Sequence, residues 1–231
     1  MRLTKLSVFV LLFASAALAG DMADGDAAGA RKDYATALKK YKKAAENNNA
    51  QAQYYLGLFY NDGLGVTQNY TEAIGWYKLA AAQGNADAQL NLGFMYNEGR
   101  GVVQDYTEAA RWYRVAAIRG NAKAQFDLGA MYGNGQGVNQ DYAEAVRWYK
   151  LAAAQGNTEA QFSLGLMYDQ GQGVVQNHVR SHMWLNLAAT KGEKIALKGR
   201  DLVANKLTLT QLAEAQKLAR ECQARKFKNC D

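Results

Sequence analysis

Four tryptophans, Trp76, Trp112, Trp148 and Trp184, stand 36 residues apart. Gly57, Gly93, Gly129 and Gly165 keep the same step, and so do Gly84, Gly120, Gly156 and Gly192. The pair Gly63/Gly65 returns as Gly99/Gly101, Gly135/Gly137 and Gly171/Gly173. A fixed period of this length restricts the chain to a stack of similar units, each burying a face that only its neighbours can cover. The 231 residues are enough for one such array.

Each period reads as two helices. In one copy the first runs over about 86–96, where Ala88, Leu92 and Tyr96 share a face at i, i+4 and i+8. Gly93 lies beside them. A glycine inside a helix costs up to about 1 kcal/mol relative to alanine, so its recurrence predicts close approach of a neighbouring helix. The second helix runs over about 106–119. Asp105 caps it, Glu108 is placed to reach back to the cap, and Asn69/Glu72 and Asp141/Glu144 repeat the arrangement. Ala109, Tyr113, Ala116 and Ala117 follow at helical spacing, the small residues allowing close packing and the Tyr–Trp pair filling the gaps between units. Gly120 fits a left-handed helix terminus, and Asn121 opens the next helix. The fold class is therefore all-α, a right-handed superhelical solenoid of antiparallel helix pairs.

The ends depart from the period. Arg2 and Lys5, the apolar run to Leu18, and Ala17-Leu18-Ala19 form an export-signal pattern with cleavage expected before Gly20. Residues 20–30 read as a short linker. Asp33-Tyr34-Ala35-Thr36 begins a second-helix segment, so the array, 31–192, opens with half a unit. At the far end Asn177-His178-Val179-Arg180 lacks the acidic capping residue. Residues 193–231 then read as capping helices over 194–206 and 208–226, the last capped by Thr208 or Thr210. Cys222 and Cys230 are the only cysteines. On one straight helix their alpha carbons would lie about 12 Å apart, too far for a bridge, so they pair only if the helix ends near Arg225 and the tail turns back.

The net charge of +6 falls to +4 once Arg2 and Lys5 are removed. That balance is mild and spread out, which argues against a nucleic-acid partner. No stretch after the first residues is apolar enough to span a membrane, so no stable insertion is expected once the signal is gone.

The pattern Ala-x-x-x-Leu-Gly-x-x-Tyr-x-x-Gly-x-Gly-Val, then Tyr-x-x-Ala-x-x-Trp-Tyr-x-x-Ala-Ala-x-x-Gly-Asn, resembles the Sel-one-like repeat, a relative of the tetratricopeptide repeat. Ala88, Leu92, Gly93, Tyr96, Gly99, Gly101, Val102, Tyr106, Ala109, Trp112, Tyr113, Ala116, Ala117, Gly120 and Asn121 carry it in one copy. The resemblance spans about 31–192, and the closing segment from Arg200 to Cys222 is similar to that of exported bacterial members. It implies an adaptor that holds other proteins or peptides in the periplasm or beyond. A cysteine-rich branch of the family, linked to β-lactam hydrolysis, offers an enzymatic alternative, but no repeat here contains a cysteine. A secreted effector that binds host proteins is a further alternative.

By analogy with tetratricopeptide arrays, partners would lie on the concave face made by the first helices. The positions are Tyr54, Leu58 and Asp62; Leu90, Phe94 and Glu98; Phe126 and Asn134; Phe162 and Gln170. Gln51, Asn61, Asp87, Asn97, Lys123, Ala130, Glu159, Leu166 and Asp169 share that register. The row reads as an apolar stripe edged by polar groups, suited to an extended peptide or a helix. Tyr54, Leu90, Phe126 and Phe162 can equally be inward packing residues that recur with the framework. His178 and His182 share a helix at i, i+4, but no acid or cysteine lies near them in sequence to complete a metal site. No phosphate loop, nucleophile elbow or nucleophile–base pair is present, so no catalytic residue, metal or cofactor is expected.

Overall fold

The computed structural model describes residues 20–190 and 194–230. The export pattern of residues 1–19 and Gly192 therefore lie outside the described residues. Among those described every element is a helix: α1 (20–30), α2 (Tyr34–Glu46), α3 (Ala50–Asp62), α4 (Tyr70–Ala82), α5 (Ala86–Glu98), α6 (Tyr106–Ile118), α7 (Ala122–Asn134), α8 (Tyr142–Ala153), α9 (Thr158–Gln170), α10 (His178–Ala189), α11 (Lys194–Ala204) and α12 (Leu209–Ala224). The chain divides into two compact units, α1–α5 and α6–α12.

Caps set the boundaries. Asn69, Asp105 and Asp141 accept from backbone N–H groups one turn into their helices, at 3.1, 3.0 and 3.0 Å from Glu72, Glu108 and Glu144. Glu108 does not reach back to the cap. Its carboxylate instead takes the Arg111 guanidinium at 2.7–3.1 Å, because the i, i+3 cation is nearer. Asn177 still caps α10 through the Arg180 N–H at 2.9 Å, so losing the acidic residue leaves the start of that helix intact. The first helices end on a glycine in the left-handed region, as at Gly99 with φ 67°.

Buried glutamines close the other helix ends. The side-chain amides of Gln53, Gln89, Gln125 and Gln161 donate to the carbonyls of Ala45, Ala81, Ala117 and Ala153 at 3.4, 3.1, 3.0 and 3.4 Å. Each adds a second donor to a last-turn carbonyl that already accepts a backbone N–H, from Asn48, Gly84, Gly120 and Gly156 at 2.9, 2.9, 3.0 and 2.9 Å.

The mid-helix glycines mark helix contact. A methyl group added at Gly129 would stand 2.8 Å from the Tyr149 ring, and one at Gly57 would enter the Tyr77 ring. The tyrosine of each Trp–Tyr pair is the deeper member in the early copies. Tyr77 and Tyr113 are 1% and 3% exposed, whereas Trp76 and Trp112 are only half-buried. Trp148 and Trp184 are buried.

Residues 20–30 are a helix, not a linker, and the array does not open with half a unit. Asp21 and Asp24 of α1 pair with Lys40 at 3.3 and 2.6 Å, Asp21 also pairs with Lys43 at 2.8 Å, and Tyr41 donates to Asp26 at 2.9 Å. Gly25 faces the Tyr41 ring as Gly57 faces that of Tyr77. The glycine-to-tyrosine separation is 16 residues here and 20 in the next pair, because only residues 31–33 join α1 to α2. This shortened loop breaks the 36-residue register, and the small residues of α1 leave no apolar periodicity to read.

At the C-terminus Thr208, not Thr210, caps α12, in a reciprocal pair with Gln211. The helix ends at Ala224, the backbone turns through positive φ at Lys226, Phe227 and Asn229, and a disulfide joins Cys222 to Cys230 with alpha carbons 5.1 Å apart.

Candidate functional site: the first-helix faces

In the first unit the face is built by α3 and α5. Tyr54 is half-buried, its ring 5.6 Å from that of Tyr55 and 6.2 Å from that of Tyr77. Burial pushes the Tyr54 and Tyr77 hydroxyls up, and the nearby Asn91 side chain works against the shift in both. Leu58 and Leu90 are half-buried, while Phe94 is 38% exposed with the Arg100 guanidinium 4.8 Å from its ring centre. Asp62 and Glu98 are exposed, each accepting from the amide of the preceding asparagine, at 2.6 and 2.8 Å. Tyr54 and Leu90 thus serve both readings, packing on one side and facing solvent on the other.

In the second unit α7 and α9 form the equivalent face. Phe126 packs 5.7 Å from Tyr149, and Phe162 rests on Ala196 of α11. Leu166 is exposed, and it shares a small cavity of about 230 Å³ with Asn134, Ser163 and Gln170. A larger cavity of about 640 Å³ lies against Phe126, Glu159 and Phe162, with Ile195 and Ala196 on its far side. Burial pushes the Asp127 carboxyl up; Lys123, 3.4 Å away, opposes the shift and Glu159 adds to it.

Sequence reading missed Asn91, Asp127 and Ser163, which occupy one repeat position together with Tyr55. Its sign was the change from aromatic to amide to acid to hydroxyl inside an otherwise fixed frame. It also missed the contribution of α11, which starts 36 residues after α9 and keeps the recurring alanine at Ala196 but has lost the rest of the first-helix pattern. The two histidines do not converge. His178 lies 3.0 Å from Asp169 without hydrogen-bond geometry, whereas His182 is buried and faces Arg200 and Asp201. Among the described residues no cluster of three or more His, Cys, Asp or Glu is arranged to hold a metal. No described helix is long and apolar enough to cross a membrane.

The Sel1 repeat matches five successive stretches, 12–49, 50–85, 86–121, 122–157 and 158–193. The chain belongs to the Sel1 repeat family. Its first matched repeat includes α1, in agreement with a complete opening pair. Among solved Sel1-type structures it is similar to c5321, a protective antigen present in uropathogenic Escherichia coli strains, with 36% identity, a TM-score of 0.77 and coverage of 84% of this chain and 42% of that one. It is also similar to a Sel1 repeat protein from Oxalobacter formigenes, with 34% identity, a TM-score of 0.70 and coverage of 86% and 74%. The chain thus spans about two fifths of c5321. No curated protein matches it.

Proposed function

We propose that this Sel1 repeat chain is an exported, non-catalytic adaptor whose first-helix faces hold segments of other proteins in the bacterial envelope. The observation that carries this reading is the row of half-buried to exposed apolar groups at recurring positions, which pack partly on the frame and present the rest of their surface to solvent. Leu58, Leu90 and Phe94 form it in the first unit, and Phe126, Phe162 and Leu166 in the second. Exposed aromatic and aliphatic groups on a rigid helical face provide anchors, and the polar groups around them provide selectivity. Export is supported by the pattern from Arg2 to Ala19, by the disulfide, which belongs in an oxidising compartment, and by the protective-antigen role of c5321.

Affinity capture from envelope extracts tests the adaptor role. The native chain should retain partners that a triple variant, Asp62→Lys, Glu98→Lys and Gln170→Lys, loses. Equal retention of every partner would overturn the assignment of the face. Turnover of a chromogenic β-lactam above a heat-treated control would overturn the non-catalytic reading. The mass of the chain purified from the periplasm should begin at Gly20.

A further inference from the structure

The cavity on the second unit's face combines features that select for charge. Phe126 and Phe162 present ring surface, Thr158 and Ser163 present hydroxyls, Ile195 closes the far side, and Glu159 is the one charged group among its described lining residues. Asp127, one residue along from Phe126, is only 23% exposed at its side chain. Glu159 is exposed at the cavity rim and Asp127 is not one of its lining residues, but Glu159 is near enough to oppose ionisation of the partly buried Asp127, and a cation placed between the two carboxylates relieves that repulsion.

The chain supplies such a cation itself, loosely. Lys123 Nζ sits 3.4 Å from Asp127 Oδ1 and 5.1 Å from the Phe126 ring centre. This is the geometry in which an ammonium is shared between a carboxylate and an aromatic face. The Lys123 side chain is 54% exposed, and an exposed pair at i, i+4 is weakly held. In the other copies the Lys123 position carries Gln51, Asp87 and Glu159, and the Asp127 position carries Tyr55, Asn91 and Ser163. This arrangement therefore belongs to one place in the array and not to the repeat frame.

We propose that this cavity receives a lysine or arginine side chain from an extended, basic–apolar segment of a partner protein. The incoming cation displaces Lys123 from Asp127 and gives Glu159 a counter-charge. The aliphatic stem of the ligand lies along the phenylalanine rings while its head reaches the carboxylates. The cavity is larger than one side chain, and Ile195, 63% exposed, offers a surface for a flanking apolar residue. The inference rests on the docking-face reading and adds the chemistry of the partner.

Fluorescence anisotropy with three labelled peptides tests it, each alternating leucine with lysine, glutamine or glutamate. With the native chain, the lysine peptide should bind about tenfold more tightly than the glutamine peptide, and the glutamate peptide least well. Asp127→Asn with Glu159→Gln should bring the lysine peptide to the level of the glutamine peptide while leaving the latter within about twofold. Lys123→Met should strengthen lysine-peptide binding about threefold or more by removing the internal competitor. Equal binding of the three peptides, a lysine preference that survives the double substitution, or no binding of the lysine peptide overturns the inference. Phe126→Ala with Phe162→Ala separates the two levels. If it abolishes binding of all three peptides although they show no charge preference, the docking face stands and the basic partner falls. If binding is indifferent to it, the face itself is wrong. Circular dichroism of each variant checks that the helices are retained.

Discussion

Helices α8 and α10 occupy the same place in successive repeats, yet they live in different surroundings. On α8, Arg147 and Leu151 are exposed and Tyr149 presses against Gly129. One repeat later the equivalent residues are Met183, Leu187 and Leu185, all buried, and Leu185 takes the tyrosine's place against Gly165. Ala145 becomes Ser181, whose hydroxyl donates to the Gly165 carbonyl at 2.7 Å. The cause lies outside the repeat. Helix α12 lays Ala219 and Cys222 on Met183, Trp184 and Leu187, while α11 brings Ala196 to Ala188 and Ala189. A helix covered on one side keeps a polar stripe, and one covered all round loses it. The last repeat is thus adapted to its cap, whose own Ile195, Leu202 and Leu209 stay exposed.

Exchanging equivalent residues is the strongest way to break this comparison. Met183→Arg places on α10 the residue type that α8 carries, at a position with no exposure. A buried, unpaired guanidinium should destabilise the chain by about 4 kcal/mol or more. The reverse change, Arg147→Met, removes an exposed pair with Glu144 and should stay within about 0.5 kcal/mol. Urea denaturation of both variants measures the asymmetry; equal effects would mean that the cap does not cover α10 in solution.

The disulfide gives a smaller effect confined to the cap. It joins cysteines separated by 8 positions, and Phe227 between them lies against Gly156, just after α8. Loss of the crosslink in Cys230→Ser should lower stability by about 2–3 kcal/mol. Dithiothreitol should shift the native midpoint to that of the variant and leave the variant unmoved. A reductant shift in both would locate the effect elsewhere.

Gly129→Ala tests the helix contact that the two repeats share. The added methyl group meets the Tyr149 ring at 2.8 Å and the Ala145 carbonyl at 3.2 Å, so it should cost about 1–3 kcal/mol. Gly75, on the exposed side of α4, has nothing within 4 Å, so Gly75→Ala should stabilise by up to about 1 kcal/mol. Thermal melts that rank these two variants the other way would remove the steric account of the recurring glycine.

How much of this was legible in the sequence follows from where the period holds. Inside it, glycines, alanines and aromatics act through contacts that repeat, so helix bounds came within two residues, as at Ala86–Glu98. The candidate face followed from the same register, and Phe94, Phe126, Phe162 and Leu166 line it. What escaped was set by local departures. The three-residue connection after α1 shifts Gly25 out of register and hid the opening helix. The depth of tyrosine relative to tryptophan depends on the helix crossing, which residue type alone does not reveal. Asp127 matters because burial and Glu159 of α9 act on its carboxyl, and neither follows from its place in the repeat.

His182 offers the subtlest test of the α8–α10 contrast. Its counterpart on α8 is Val146, equally buried but without charge. Burial holds the His182 imidazole below its ordinary value of 6.5, Arg200 of α11 adds to the depression, and Asp201 partly offsets it. The unfolded chain therefore takes up a proton at a pH where the folded chain does not. This histidine's contribution is fully present above the unfolded value and is lost as pH falls below about 6.5, with a limiting slope of about 1.4 kcal/mol per pH unit. His178, 3.0 Å from Asp169, is a second histidine on the same helix, so the native profile alone does not isolate His182. The difference between the native chain and His182→Val does, because His178 is common to both. Denaturation midpoints should show the valine variant gaining stability relative to the native chain as pH is lowered from 8 to 5.5. A difference that stays flat with pH would mean that the imidazole is solvated and that α10 is less enclosed than its neighbours require.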